Sequence, residues 1–347
     1  MSRRRPAPRR KSWGRLPRLR LAGVAGLASL SLAALLLLGG FVYLGPGPSA
    51  RDGVTVVVLE RGAGLIRIAD ELDRAGAIRS AGVFGLAARL TGAASELKAG
   101  EYEFRSGTPM ARVLADIRAG KVVRHLVTIP EGWTSEMAAE AVNGEPVLVG
   151  HVDPPPEGAI LPDTYQVQRG DERAAVIARM AEAREALVST LWAARQPGLP
   201  FKAVEEAVIL ASIVEKETGL ASERPRIAAV FVNRMRAGMR LETDPTVIYG
   251  ISKGRPLGRG LTVGELARPT PYNTYQIDGL PPTPIANPGR AALEAVMDPP
   301  STEELFFVAD GSGGHVFAKT YPEHQANVAR WRRMERAQAA VGGGAGR

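Results

Sequence analysis

Cysteine is absent from all 347 residues. Its absence excludes disulfides, a thiolate nucleophile, thiolate metal sites and a lipidated cysteine anchor, so an exported domain of this chain must be held by core packing. Histidine is nearly as scarce. The four copies, His125, His151, His315 and His324, include no HExxH-type pair on one helical face, so neither a metal site nor a cofactor is expected. The chain also lacks a glycine-rich phosphate loop and a GxSxG nucleophile elbow.

Acidic residues are missing from positions 1–20, which hold nine Lys or Arg. Taking those nine from 44 leaves 35 basic residues against 36 acidic ones in the remainder. The formal charge of +8 therefore belongs to a basic tail, and no nucleic-acid partner is expected. Charge of either sign is then absent for 24 residues, Leu21 to Leu44. At ~1.5 Å per helical residue this run crosses a hydrocarbon core of ~30 Å and reads as a transmembrane helix. The arginines on its N-terminal flank place the N-terminus in the cytoplasm and everything beyond residue 45 outside it, at the plasma membrane. A cleaved signal peptide is the alternative, with Pro48-Ser49-Ala50 as its site, but the run exceeds the ~7–15 residues of a signal core.

A short linker (45–52) leads to Val54–Leu59, whose β-branched residues predict a strand. Helical patterns follow at 65–75 and 81–90, a second strand at 100–104, and a helix to 119 with Thr108 as cap and Pro109 at its first position. Residues 53–121 thus form a small α+β module. Residues 122–340 form a larger α+β domain with a strand at 124–129, a helix capped by Thr134, and a proline-rich connector at 144–158. Long helices are expected at 172–194, 203–217 and 225–237. A Gly/Pro-rich region (250–289), a helix at 290–297, a strand at 305–309 and a helix at 322–338 complete it, and 341–347 is a disordered tail.

The chemistry concentrates where Ala211-Ser-Ile-Val-Glu-Lys-Glu-Thr218 ends an apolar helix. Leu210, Ile213 and Val214 lie seven, four and three positions before Glu217 and share its face. Glu215 lies about 200° round the helix, so the two carboxylates cannot flank one bond. Apolar neighbours raise the proton affinity of a carboxyl, which makes Glu217 the candidate general acid. Downstream, Asn233-Arg234, then Asp244, Thr246 and Tyr249 around a turn-forming Pro245, then Tyr272-Asn273-Thr274-Tyr275, offer rings and hydrogen-bonding tips suited to a sugar chain. The same residues are also ordinary turn chemistry. His315 either orients substrate or finishes a hairpin.

These motifs, with Glu157-Gly158 and Leu161-Pro-Asp163-Thr-Tyr165 upstream and Phe307-Val-Ala-Asp310 and Gly314-His-Val-Phe317 downstream, closely resemble the YceG-like (MltG) endolytic murein transglycosylases. The resemblance implies a single span, a LysM-like module and a catalytic domain. It implies cleavage of the β-1,4 bond between N-acetylmuramic acid and N-acetylglucosamine within peptidoglycan glycan strands, leaving 1,6-anhydro ends, with Glu217 as the catalytic acid. It also points to penicillin-binding proteins as partners. The connector from Val142 to Glu157 is shorter than the family's. Two alternatives stand beside this reading: a hydrolytic muramidase using Asp163 or Asp244 as second carboxylate, and a peptidoglycan-binding scaffold without turnover.

Overall fold

The computed structural model describes residues 18–50 and 53–342; the basic stretch at 1–17 and the expected tail from 343 onward lie outside the described residues. The uncharged run forms α1 (Arg18–Leu44), and from Gly26 to Leu44 it is long and apolar enough to cross a membrane. The chain divides into two compact units between Val123 and Arg124.

In the first unit, β1 (Val54–Leu59) pairs antiparallel with β2 (Gly100–Arg105), Val54 opposite Arg105 and Leu59 opposite Gly100. Period-two alternation turns Val57, Leu59, Tyr102 and Phe104 inward and leaves Val56, Val58 and Glu103 outside. Three helices cover the inner face: α2 (Leu65–Arg74), α3 (Ala81–Leu90) and α4 (Met110–Ala119), through Ile68, Leu72, Phe84, Met110, Val113 and Ile117. Ser80 caps α3 by accepting from Val83 N. Thr108 does not cap α4. Its hydroxyl donates instead to the Arg105 carbonyl at 2.6 Å, closing the β2 turn, and Pro109 occupies the cap position.

The second unit is mostly helical, with two small antiparallel hairpin sheets. β3 (His125–Thr128) pairs with β4 (Thr164–Val167), and β5 (Phe306–Ala309) with β6 (His315–Ala318). Around them run α5 (Ser135–Gly144), α6 (Arg173–Ala194), α7 (Val204–Glu217), α8 (Arg224–Arg236), α9 (Asp244–Ser252), α10 (Val263–Ala267), α11 (Arg290–Met297) and α12 (Tyr321–Gly342). Helix α12 runs two residues into the stretch expected as a tail. Residues 244–252 form a helix rather than the expected turn: a proline in the first helical turn loses no hydrogen bond and has the right φ, so Pro245 starts α9. Helix α7 is the spine of this unit, buried on all sides from Ala207 to Glu215 among α8, α9 and α11.

The connector between α5 and β4 contains no regular element apart from one bridge, Val149 to Glu172. Arg173 closes it. Its guanidinium donates to the carbonyls of Val142 (3.0 Å), Glu145 (2.9 Å) and Gly150 (2.6 Å). Hydrogen bonds from a charged donor contribute ~1.5–3 kcal/mol each, less where solvent reaches them. Arg173→Ala should therefore loosen residues 142–152 by roughly 2–3 kcal/mol of local opening free energy. Amide exchange across that segment, with exchange of α7 as reference, measures the effect.

Candidate active site

Helix α7 has apolar side chains on every face, so it is driven into the centre of the unit, and its last residue is carried in with it. Leu210, Ile213 and Val214 are fully buried along the line that leads to Glu217. Glu217 keeps some accessible surface but lies deep within the protein, and the Thr243 hydroxyl donates to its Oε1. Burial pushes its pKa up to about 7; the neighbouring Asp244 pushes the same way, while the Thr243 bond, His315 and Arg234 pull back. The C-terminal end of a helix also repels negative charge, in the same direction as burial.

Glu215, two residues earlier, has different partners. Its Oε1 accepts from Arg224 Nη2 at 2.8 Å and its Oε2 from the Gly289 amide at 2.9 Å. Burial raises its pKa, and the Gly289 amide and Arg224 oppose that rise. The two carboxylates thus leave the helix on separate sides, one joining α7 to α8 and the start of α11, the other reaching Thr243. Ser212 accepts from Ile285 N at 3.0 Å, and Lys216 donates to the Gly132 carbonyl at 3.2 Å. The end of α7 therefore organises the loops around it.

Thr243 is held in turn. Its amide donates to Thr274 Oγ1 at 3.0 Å, and Thr246 Oγ1 donates to its carbonyl at 2.8 Å. Just before it, Glu242 adopts a left-handed backbone (φ 50°), stabilised by Arg234, whose Nη1 donates to the Arg240 and Leu241 carbonyls at 3.2 and 2.9 Å. Arg234 is buried, also donates to the Leu305 carbonyl at 2.6 Å, and has its pKa lowered by that burial. Asp244 accepts from the Tyr275 hydroxyl at 2.8 Å, and burial followed by that bond raises the Tyr275 pKa. His315 opens β6, its Nδ1 2.8 Å from Glu223 Oε2 and its amide donating to Glu223 Oε1 at 2.7 Å. Burial alone would raise the Glu223 pKa, but the bonds from His315 and Thr218 outweigh it and hold it low. Glu217, Thr243, Asp244, Tyr275, Arg234 and His315 therefore form one electrostatic group.

Other residues singled out in the sequence lie elsewhere. Asn233 donates to the Thr302 and Glu304 carbonyls at 2.9 and 3.1 Å, fixing the approach to β5. Asn273 is fully buried and donates to the carbonyls of Glu265, Leu266 and Arg268, closing its own loop. Asp163 is exposed and accepts from the adjacent Thr164 amide. Tyr165 packs on the core behind β3 and β4 and donates to the Leu161 carbonyl, its pKa pushed up to about 12 by burial and by Asp163. Tyr249 joins a second group: its hydroxyl donates to Glu157 Oε2 at 3.2 Å, and its ring meets Tyr272 at 5.0 Å. Glu157 also accepts from the Ser135 amide at 2.8 Å, and burial raises its pKa. Neither Thr243 nor Glu157 carries a site signal of its own in the sequence, although Glu157 stands inside one of the motifs of the resemblance and Thr243 directly precedes Asp244. Among the described residues no group of His, Cys, Asp and Glu could hold a metal ion.

A YceG-like family profile matches residues 57–330, most of the chain. The chain belongs to the YceG-like family. The endolytic murein transglycosylase of Bacillus subtilis (strain 168) is 28% identical over 83% of this chain and 89% of its own length. The endolytic murein transglycosylase of Streptococcus pneumoniae (strain D39) is 26% identical over 81% of this chain, which spans only 59% of that relative. A crystal structure of a YceG-like protein from Listeria monocytogenes superposes with a TM-score of 0.51 at 26% identity, covering 79% of this chain and 99% of that one. The mixed helix and strand architecture of this YceG-like chain thus has a solved counterpart.

A carboxyl with a raised folded-state pKa stabilises the fold fully below its unfolded pKa, and that contribution is lost as pH rises through the folded value. For Glu217 the window runs from 4.5 to about 7. Glu217→Gln should match the wild type in stability at pH 4 and exceed it by up to roughly 3 kcal/mol at pH 8. Denaturant unfolding in detergent at the two pH values, followed by tryptophan fluorescence, gives the difference.

Proposed function

We propose that this chain is a membrane-anchored endolytic lytic transglycosylase. It cleaves the β-1,4 bond between N-acetylmuramic acid and N-acetylglucosamine within nascent peptidoglycan strands and leaves 1,6-anhydro ends. The observation that carries the reading is Glu217, a carboxyl with a pKa near neutrality whose hydrogen-bond donor is a neutral hydroxyl. Family membership and the names of the relatives support the substrate and the reaction class.

Glu217 in its protonated form gives its proton to the glycosidic oxygen as the bond to the anomeric carbon breaks. As carboxylate it then takes the proton of the muramic 6-hydroxyl while that oxygen closes on the same carbon. The nucleophile is tethered to the sugar under attack, so its effective concentration is high and no water has to be positioned. Hydrolysis would require a second carboxylate ~5–5.5 Å or ~6.5–9.5 Å away. Asp163 is unsuited to that role because its carboxylate is exposed on its own turn. Asp244 neighbours Glu217, and the hydrolytic alternative rests on it.

In this reading α1 is the membrane anchor with its N-terminus in the cytoplasm, residues 53–121 are a LysM-like module, and 122–340 are the catalytic domain. Anchoring limits cleavage to glycan near the bilayer, where new strands emerge. Termination of strand elongation beside penicillin-binding proteins is the corresponding cellular role.

Digestion of purified glycan strands with wild type and Glu217→Gln, followed by mass analysis, tests the proposal. Products one water lighter than hydrolytic ends are expected, with a rate loss of at least ~10²-fold in the variant. Activity should also fall as pH rises through about 7, where the acid is lost. Reducing ends would assign the enzyme to the muramidases. Normal turnover by Glu217→Gln would remove Glu217 from the chemistry.

A further inference from the structure

The first unit does not hang from its span on a free tether. Val42 and Tyr43, in the last turn of α1, pack against the core of the unit. Tyr43 shares a cavity of about 440 Å³ with Thr91, Ala93 and Glu96, just past the C-terminal end of α3, and with the face of α4 that runs from Ala111 to Arg118. The chain after it is strapped to the opposite ends of the same helices. Gly47 N donates to the Gly107 carbonyl at 3.0 Å and Gly107 N to the Pro48 carbonyl at 2.9 Å, just before α4. Arg79, just before α3, donates to the Pro46 and Gly47 carbonyls at 2.9 and 3.1 Å. Gly47 passes so close that an added Cβ would lie 2.1 Å from the Thr108 carbonyl oxygen. Between residues 43 and 47 the chain therefore climbs from the C-terminal to the N-terminal ends of α3 and α4, which fixes how the unit stands on α1.

Length sets its height. The 21 residues from Leu21 to Phe41 already extend ~30 Å as a helix, the thickness of the hydrocarbon core. The next residue, Val42, touches the unit. With the hydrocarbon core beginning at Leu21, where the charge-free run starts, the C-terminal ends of α3 and α4 lie at the level of the lipid headgroups.

The surface at that end is apolar. Leu90, the last residue of α3, is 79% exposed, and Leu86, one turn earlier, is 57% exposed. Ile66, 69% exposed, lines a groove of about 220 Å³ with Leu86 and Arg89. Helix α2 runs antiparallel to α3, since Asp73 near its end accepts from Ala81 N at the start of α3, so Ile66 belongs to the end near the bilayer. Phe41 and Leu44 of α1 are also exposed and extend this surface down to the span. In water such a cluster is a cost; continuous with a membrane span, it has a partner within reach. Arg89, between the two leucines, carries a charge suited to lipid phosphate.

The geometry points to a membrane-docking face: Ile66, Leu86 and Leu90 sit in the bilayer interface, so that the first unit lies on the lipid surface in a fixed orientation. The inference rests on the reading of α1 as a span. Because the chain has no cysteine, Leu90→Cys, Leu86→Cys, Ala75→Cys and Leu35→Cys each give a single labelling site in the full chain. Each labelled variant is placed, one copy per disc, in phosphatidylethanolamine and phosphatidylglycerol nanodiscs with and without lipids carrying a quencher. Quenching should be strong at 35, clear at 90, weaker at 86, and absent at 75, which lies at the far end of α2. Strong quenching at 35 with positions 90 and 86 no different from 75 would overturn the docking face and leave the span standing. No quenching at 35 would overturn both. Shielding of 86 and 90 by glycan fragments or by a second copy, without lipid quenching, would give the face to that partner and equally overturn the proposal.

Discussion

Everything at the candidate site depends on the burial of α7. A helix that is apolar on every face has no solvent side, and the unit closes round it with α8, α9 and α11. Its C-terminus therefore ends inside the protein, where the unsatisfied carbonyls of the last turn and the loss of water both disfavour an anion. A glutamate at that position must either find a cation or hold its proton. Glu217 has a threonine hydroxyl, not a cation, at hydrogen-bond distance, so it holds the proton up to near-neutral pH.

The same helix meets the other solution two residues earlier. Glu215 is also buried but accepts from Arg224 and from the Gly289 amide, and Arg224 also reaches Glu131 at 3.3 Å. Paired charges in such a place add little net stability once desolvation is counted, yet removing one partner strands the other. Glu215 therefore acts as a joint between α7, α8 and the entry to α11. The alternation of a joint and a proton store follows from 100° per residue: carboxylates at i and i+2 of one helix cannot share a pocket. Arg234 repeats the pattern from α8. It spends its guanidinium on three backbone carbonyls and, through the strained Glu242, sets the position of Thr243 and so of the hydroxyl that meets Glu217.

How much of this was legible in the sequence follows from the range of each interaction. The uncharged run of α1, the apolar faces of α6 and α7 and the exit angle of Glu217 are periodicities within one helix, and periodicity is what a sequence displays. Thr243 meets Glu217 across 26 residues and Ser135 meets Glu157 across 22, and nothing local marks such pairs. For the same reason β4 gives no signal of its own, and β6 shows only in the hairpin alternative for His315. Each is four residues long and is defined by its partner strand rather than by its own composition. At Asp244-Pro245 the proline signals a turn in the sequence, because a proline that breaks a helix and one that starts it look alike until the following residues bury Val247 and Tyr249. Asn233 and Asn273 show the reverse. An amide near the end of a helix and one in a loop both suggest ligand contacts, and the structure spends them on backbone carbonyls.

A pKa near neutrality is also what the proposed reaction cycle requires of a single carboxyl. The group must release a proton to the leaving oxygen and then accept one from a hydroxyl, so an affinity far from ambient pH on either side would disable one half of the cycle. Burial and the Asp244 charge both raise that affinity. The Thr243 hydroxyl, His315 and Arg234 act against them. Tyr275 completes the arrangement by donating to Asp244, which fixes the position of that side chain beside Glu217. The surrounding groups thus tune the acid as well as position it, and that tuning accounts for so many charged and hydroxyl side chains around one glutamate.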